Sequence, residues 1–362
     1  NWENKSLVNE LIQATNFWLE LGVSGFRIDA ITFIKKDNYM SIDADQKDGL
    51  ADIGKATLDR PGIHDFLQKL KAKSYGQGNY MTVAEAPGVQ LGDLEPYIGN
   101  KGDFSMIFEF SPMEISLNSD GAWYPKQPWD NNKHRNQLYK SQLAIQEVGW
   151  MALFLENHDM PRCIDRCFGI QDDGYQKGSL LAMMYFFMRG TPFIYQGQEI
   201  GMRNHRFQSI DEFNDISTLD QYQRAISLGA SKVEALQIAN EKSRDHARTM
   251  IPWEEVKLQE EDPNSLLNFY KSLIRIRKHN PDALVYGSFR PIFDYYDLLF
   301  AYERIGKREV YTILANFSDQ NLEIPWHSED EIILSNIGKK SITNANLKLN
   351  PYEGLLLKRQ LQ

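Results

Sequence analysis

Cysteine is almost absent from this sequence: its 362 residues include only two, Cys163 and Cys167. Two thiols cannot form a disulfide scaffold, and no Cys/His cluster has the spacing of zinc ligands. No stretch approaches the roughly 18 unbroken apolar residues that a membrane-spanning helix needs. Positive charge is also in deficit, because the net charge of -9 and the isoelectric point near 5.4 disfavour contact with nucleic-acid phosphates. We therefore expect no membrane partner and no nucleic-acid partner, and the i, i+4 spacing of the cysteines predicts a helical turn.

What the sequence does contain is typical of a globular protein. Apolar residues make up 42% and charged residues 25%, with a mean hydropathy of -0.48, which excludes a wholly disordered chain. The length predicts one large domain with a smaller appendage. The chain begins at Asn1 rather than at methionine and opens directly into an amphipathic segment, so we expect its true beginning to lie further upstream.

Short apolar segments alternate with helical patterns over the first 283 residues. The apolar segments predict strands at 23–30, 80–84, 104–110, 151–155 and 191–195. Apolar residues at three-to-four spacing predict helices at 6–21, 62–75, 136–148, 178–188 and 265–279. A long polar loop follows the first strand. The alternation indicates parallel βα units.

The pattern changes after residue 283. Five short, partly alternating segments separated by turns lie at 298–303, 309–316, 321–324, 331–335 and 354–358. We therefore predict two domains, a βα domain over residues 1–283 and an antiparallel β-sandwich domain over residues 284–362.

Charged side chains lie at the ends of three predicted strands. Side chains alternate across a strand, so Arg27 and Asp29 share one face. A guanidinium beside Asp29 would keep this carboxylate ionised and ready to act as a nucleophile. Glu85 ends an otherwise apolar strand, and such surroundings would raise its pKa and suit it to donate a proton. His158 and Asp159 follow the third strand.

Each of these segments alone has an ordinary structural explanation, such as a buried ion pair or a helix cap. Together they are hard to explain by stability, because clustered carboxylates repel one another. Cleavage of a glycosidic bond requires two acids, one that attacks or activates water and one that protonates the departing oxygen. A separation of about 5 to 5.5 Å between Asp29 and Glu85 would indicate retention of configuration, and a wider gap would indicate inversion.

The chain contains in order the segments GFRIDAITFIKK (25–36), VAEAPGV (83–89), FLENHD (154–159), YQGQEIGM (195–202) and SRDHARTMIPW (243–253). This set resembles the α-amylase superfamily, glycoside hydrolase family 13, and in particular its branch of oligo-1,6-glucosidases, dextran glucosidases and α-glucosidases. The resemblance covers essentially the whole chain. It implies a retaining α-glucoside hydrolase that releases glucose from short α-1,6- or α-1,4-linked oligosaccharides through a covalent glycosyl-enzyme intermediate.

The resemblance also implies roles for individual residues. Asp29 would be the nucleophile, Glu85 the acid/base and Asp159 the stabiliser of the transition state. Three basic side chains would bind the substrate in the -1 subsite, those of Arg27, His158 and Arg248. We expect these residues to converge on one sugar-sized cavity.

Part of the family pattern has no counterpart in the sequence. The chain begins just before the family's fourth strand, so the expected fold is a partial (β/α)8 TIM barrel of strands four to eight, followed by the antiparallel β domain. The calcium-binding loop of the branch lies near the first strand, so a calcium ion would belong to the missing N-terminal part, and we expect no cofactor in this chain. Exposed barrel edges favour self-association.

Several alternatives stay open. Ala30, directly after Asp29, leaves the preference between α-1,6 and α-1,4 linkages undecided. A transglycosylating relative of the sucrose isomerase or trehalose synthase type, or a trehalose-6-phosphate hydrolase, would use the same intermediate. A non-catalytic scaffold on the same fold would not need all three acids. The low cysteine count and the habits of the branch suggest a cytoplasmic location.

Overall fold

The computed structural model describes residues 1–37, 51, 54–119, 121–169, 174–326, 330–338 and 346–361. Most of the polar loop predicted after the first strand lies outside these residues. The chain divides into two compact units, one formed by Asn1–Pro112 with Lys140–Ala152 and the other by Met113–Tyr139 with Leu153–Gln362. The predicted domain boundary at residue 283 divides the chain differently, and it stays a prediction.

The first unit is built on a three-stranded parallel sheet. Its elements are α1 (Lys5–Glu20), β1 (Gly25–Ile28), α2 (Gly54–Thr57), α3 (Ile63–Lys73), β2 (Met81–Glu85), α4 (Glu95–Ile98) and β3 (Met106–Phe108). The strand order is β1-β2-β3, and both pairs are parallel. Met151 extends the sheet through a parallel bridge to Ile107. The predicted parallel arrangement is confirmed for these strands.

Helix α1 forms because Asn4 caps it and an apolar stripe runs along it. The Asn4 side chain accepts the N–H of Ser6, and Val8 and Ile12 are buried. At the other end of the helix, Phe17 and Trp18 are about half exposed. Strand β1 is also an edge of the described sheet. The predicted self-association stays a prediction.

The second unit contains most of the helices that the structure describes. Two elements, α5 (Asn131–Val148) and β4 (Ala152–Leu153), cross the boundary between the units. The others before residue 285 are α6 (Cys163–Phe168), α7 (Gly174–Phe186), β5 (Thr191–Pro192), α8 (Ile216–Ser227), α9 (Lys232–Lys242), α10 (Trp253–Glu261), α11 (Leu266–His279) and α12 (Pro281–Leu284). Strands β4 and β5 pair, and the N–H of Phe193 donates to the Leu153 carbonyl at 2.7 Å. The two cysteines lie on α6, buried and free, which confirms the helical turn that their spacing predicted.

The C-terminal part of the second unit consists of antiparallel strands. They are β6 (Ser288–Pro291), β7 (Leu299–Ile305), β8 (Glu309–Asn316), β9 (Leu322–Pro325), β10 (Glu331–Ser335), β11 (Asn346–Leu349) and β12 (Gly354–Gln360). Five of them form a sheet in the order β10-β12-β8-β7-β6, and β11 pairs with β9. Alternating apolar residues such as Leu299, Leu314 and Leu355 form the core between them. The predicted antiparallel β appendage is confirmed.

Within the described ranges, every helix is too short or too polar to cross a lipid bilayer.

Candidate active site

Two carboxylates stand side by side at the ends of β1 and β2. The parallel register pairs Ile28 with Ala84, so the next residue of each strand, Asp29 and Glu85, emerges at the same edge of the sheet. The two side chains differ in exposure. That of Asp29 is 73% exposed, whereas that of Glu85 is only 14% exposed. One acid is therefore open to a ligand while its neighbour is shielded from water.

Arg27 bridges the two acids. One guanidinium nitrogen lies 2.9 Å from Oε2 of Glu85, and another donates a hydrogen bond to Oδ1 of Asp29. The strand alternation that places Arg27 and Asp29 on one face is thus confirmed. Because the planar guanidinium presents its donors in a fixed fork, the bridge sets the orientation of both carboxyl groups.

The backbone after Asp29 also points at Glu85. Ala30 adopts a left-handed conformation with φ 44° and ψ 42°, and its N–H donates to Oε2 of Glu85 at 3.2 Å. A left-handed residue other than glycine costs on the order of 1–2 kcal/mol, and such strain persists only where the surroundings enforce it. The hydrogen bond to Glu85 is one such constraint, so the turn ties the end of β1 to the end of β2.

The surroundings of Glu85 favour its protonated form. Burial raises the pKa of Glu85, and a hydrogen bond with Asp29 raises it further. The Arg27 charge and the Ala30 N–H lower the pKa of Glu85, but their effect is smaller and the net shift is upward. A carboxyl group with a raised pKa beside an exposed carboxylate is suited to donate a proton.

A second cluster lies in the second unit, around Asp159. Oδ1 of Asp159 lies 2.7 Å from a guanidinium nitrogen of Arg248 and 3.1 Å from one of Arg244. Oδ2 of Asp159 lies 3.1 Å from Nε2 of His158. The N–H of Asp159 donates to the Asn157 side chain at 2.8 Å, which fixes the turn that follows β4. Asp159 is thus held by three basic side chains.

Both arginines come from one short 3-10 helix, Arg244–Arg248. Ser243 caps it by accepting the N–H of Asp245, and Nε of Arg248 donates to the His158 carbonyl at 3.0 Å. Arg248 was among the predicted site residues. Arg244 was not, and its spacing of four residues from Arg248 would place both side chains on one face only in an α-helix, whereas this segment is a 3-10 helix.

The same short helix buries a histidine, and this gives a prediction for acid stability. Burial lowers the pKa of His246 to about 4, from an ordinary value of 6.5. The folded protein therefore binds this proton only near pH 4, whereas the unfolded chain binds it below about pH 6.5. We expect stability to fall as the pH drops from 6.5 towards 4, by a total on the order of 3 kcal/mol, and then to level off with respect to this group.

Denaturant unfolding at pH 7 and at pH 4.5 measures this loss. In His246→Leu the free energy of unfolding should differ less between pH 7 and pH 4.5 than it does in wild type, whatever the variant does to stability at pH 7. His279→Gln, which alters an exposed histidine on α11, serves as the control and should keep the full difference. An equal pH dependence in wild type and His246→Leu would contradict the assignment.

The structure brings the six predicted site residues together in two groups. Arg27, Asp29 and Glu85 meet in the first unit, and His158, Asp159 and Arg248 meet in the second. Convergence of the two groups on one cavity stays a prediction. Among the described residues, no set of three or more His, Cys, Asp and Glu side chains could hold a metal ion. The expectation that this chain binds no cofactor also stays a prediction.

An exposed carboxylate next to a carboxyl group with a raised pKa is the arrangement used by hydrolases of glycosidic bonds. Known proteins point to the same class. The family described as Alpha amylase, catalytic domain, matches residues 1–287. The chain therefore belongs to the alpha-amylase family, and it is a glycoside hydrolase with that family's catalytic domain followed by an antiparallel sheet.

Individual relatives are enzymes of closely related kinds. The oligo-1,6-glucosidase of Bacillus cereus is 32% identical over 391 aligned residues, which cover 99% of this chain and 69% of the relative. The trehalose-6-phosphate hydrolase of Escherichia coli (strain K12) is 28% identical, with 98% and 68% of the two chains covered. The crystal structure of isomaltulose synthase from Klebsiella sp. LX3 has a TM-score of 0.88 at 26% identity, with 99% of this chain and 69% of that one covered.

Proposed function

We propose that this glycosidase is a retaining α-glucoside hydrolase that releases glucose from short α-1,6- or α-1,4-linked oligosaccharides. The observation that carries the proposal is the Arg27 bridge, which makes Asp29 and Glu85 direct neighbours. Inverting enzymes need about 6.5–9.5 Å between their carboxyl groups to admit a water molecule, whereas retaining enzymes place them about 5–5.5 Å apart. Neighbouring carboxyl groups fit the retaining arrangement.

In this mechanism Asp29 and Glu85 act in two steps. The Asp29 carboxylate attacks the anomeric carbon while Glu85 gives its proton to the departing glycosidic oxygen, which leaves a covalent glucosyl ester on Asp29. Glu85, now a carboxylate, takes a proton from water as the water attacks the same carbon. Asp29 leaves with its original charge, and Glu85 regains its proton.

The other four predicted residues would act on the sugar itself. Asp159 would stabilise the positive charge that develops on the glucose ring, and Arg27, His158 and Arg248 would hold the ring in the -1 subsite. The contacts of Asp159 with His158 and Arg248 support this role, because they hold its carboxylate in a defined orientation. The proposal includes that Asp159, His158 and Arg248 lie in the same cavity as Asp29 and Glu85.

The substrate class rests on the relatives. Two of those reported above are named for hydrolysis of an α-1,6-linked oligosaccharide and of trehalose 6-phosphate, and a third for synthesis of isomaltulose. We place this chain with the oligo-1,6-glucosidases because of the higher identity to that relative. The enzymatic character of these relatives disfavours a non-catalytic scaffold.

We also infer that β1–β5 correspond to strands four to eight of a (β/α)8 barrel, and that the enzyme acts in the cytoplasm.

Hydrolysis assays with isomaltose, maltose and trehalose 6-phosphate test the proposal. We expect glucose release from isomaltose or maltose at a higher kcat/KM than from trehalose 6-phosphate. Proton NMR at early times should detect α-glucose first, since two displacements retain the configuration. Initial formation of β-glucose would overturn the retaining mechanism. Conversion of sucrose into an isomeric disaccharide without net hydrolysis would instead favour the transglycosylating alternative.

A further inference from the structure

Asp215 is a buried carboxylate that the proposed mechanism does not use. Its side chain is only 2% exposed, and it lies at the N-terminus of α8. Oδ2 of Asp215 accepts the N–H of Thr218 at 3.0 Å and the Thr218 hydroxyl at 2.9 Å. This oxygen therefore caps the helix.

The other oxygen of Asp215 faces the cluster around Asp159. Oδ1 accepts Nε of Arg244 at 2.7 Å, and NH1 of the same guanidinium donates to Oδ1 of Asp159 at 3.1 Å. Although burial alone would raise it, the pKa of Asp215 is lowered because Arg244 and Thr218 donate hydrogen bonds to the carboxylate. Arg244 thus lies between two carboxylates, one buried and one at the candidate site.

Further hydrogen bonds tie Asp215 to the helix that carries Arg244. The hydroxyl groups of Thr218 and Ser243 are 2.8 Å apart. Oδ2 of Asp245 accepts the N–H groups of Asn214 and Asp215, at 2.8 and 3.0 Å. The start of α8 and the start of the 3-10 helix are therefore held together from both sides, and Asp215 has little freedom to follow a movement of Arg244.

We propose that Asp215 is a positioning residue that keeps the Arg244 guanidinium on Asp159. An arginine whose Nε is fixed on a buried carboxylate can offer only its terminal nitrogens to the site, so its plane is set before a substrate binds. Without that anchor the long side chain gains freedom, and its NH1 loses its place beside Asp159. The inference rests on the proposed function for its effect on rate.

Asp215→Asn tests the inference, because asparagine still caps a helix while the negative charge that holds Arg244 is lost. We expect kcat/KM for the best α-glucoside to fall about 10- to 100-fold, mainly through kcat, as expected for misplacement of a group that acts in the transition state. Asp220→Asn removes the same charge from an exposed position of α8 and should leave the kinetics unchanged. An unchanged kcat/KM in Asp215→Asn would overturn the inference.

A double-mutant cycle separates positioning from a general structural role. If Asp215 acts only through Arg244, adding Asp215→Asn to Arg244→Met should lower kcat/KM no further. Fully additive losses would mean that Asp215 acts on the fold rather than through Arg244, and would overturn the inference.

A measurement without substrate keeps this inference distinct from the proposed function. The Nε proton of Arg244, observed by NMR in nitrogen-labelled protein, should exchange slowly with water in wild type and in Asp220→Asn, and rapidly in Asp215→Asn. If wild type hydrolyses no α-glucoside, the proposed function fails while this exchange pattern still supports the anchoring of Arg244. Equal exchange in wild type and Asp215→Asn would overturn the anchoring itself.

Discussion

Replacing Asp29 by asparagine should lower kcat/KM for isomaltose and maltose by about 10⁴-fold or more, as removal of a nucleophile does in other hydrolases. A carboxamide does not form the glucosyl ester, and Glu85 alone offers only proton transfer. Steady-state kinetics measure the loss. With a slowly hydrolysed 5-fluoroglucosyl fluoride, mass mapping of wild-type peptides should place the covalent label on Asp29.

The matched control for this experiment is Asp65→Asn. Asp65 is an exposed aspartate in the first turn of α3, in the same unit as Asp29, so the variant makes the same chemical change away from the site. It should keep its activity within about twofold, as surface substitutions usually have small effects. If Asp29→Asn kept activity within tenfold of wild type, Asp29 would not be the nucleophile and the proposed mechanism would fail.

The first group of site residues could be predicted because its geometry is local. Side-chain alternation along a single strand decides that Arg27 and Asp29 share a face, and the ends of parallel strands meet at one sheet edge. The left-handed backbone of Ala30 could not be predicted in this way, because alanine has no preference for that conformation. It becomes explicable only when the hydrogen bond to Glu85 is known.

The second group depends on contacts between residues far apart in the sequence. Arg244 contacts both Asp159 and Asp215. These contacts depend on the paths of the intervening turns, which no pattern in a single sequence specifies. The same limitation applies to part of the fold. Strand β6 was not predicted, since it has four residues and ends at Pro291, a residue that suits only an edge strand. Long segments with a regular apolar period, such as α1 and α11, were predicted almost to the residue.

A buried ion pair beside the Asp159 turn gives the second large expected effect. Arg162 and Glu156 have side chains that are 0% and 1% exposed, and NH1 of Arg162 lies 2.9 Å from Oε1 of Glu156. The other oxygen of Glu156 accepts the N–H of Cys163 at 2.6 Å. Arg162→Met would leave the Glu156 carboxylate buried without its cation, so we expect a loss of about 3–5 kcal/mol in the free energy of unfolding. Denaturant unfolding followed by tryptophan fluorescence measures it.

Lys257→Met is the matched control, because Lys257 pairs with Glu254 on α10 where both side chains are more than two-thirds exposed. Loss of that pair should lower the free energy of unfolding by less than about 1 kcal/mol.

A charge-free replacement shows whether the pair itself stabilises the fold. In Arg162→Met combined with Glu156→Leu neither of the two positions carries a buried charge, so much of the stability lost in Arg162→Met should return. The guanidinium also donates to the Gln196 carbonyl at 2.9 Å and lies over the Tyr195 ring, whose hydroxyl donates to the Ala247 carbonyl next to Arg248. The double variant would regain stability without regaining these contacts. We therefore expect the kcat/KM of the double variant to stay below that of wild type. If both its free energy of unfolding and its kcat/KM returned to the wild-type values, the pair would have no part in ordering the Asp159 cluster.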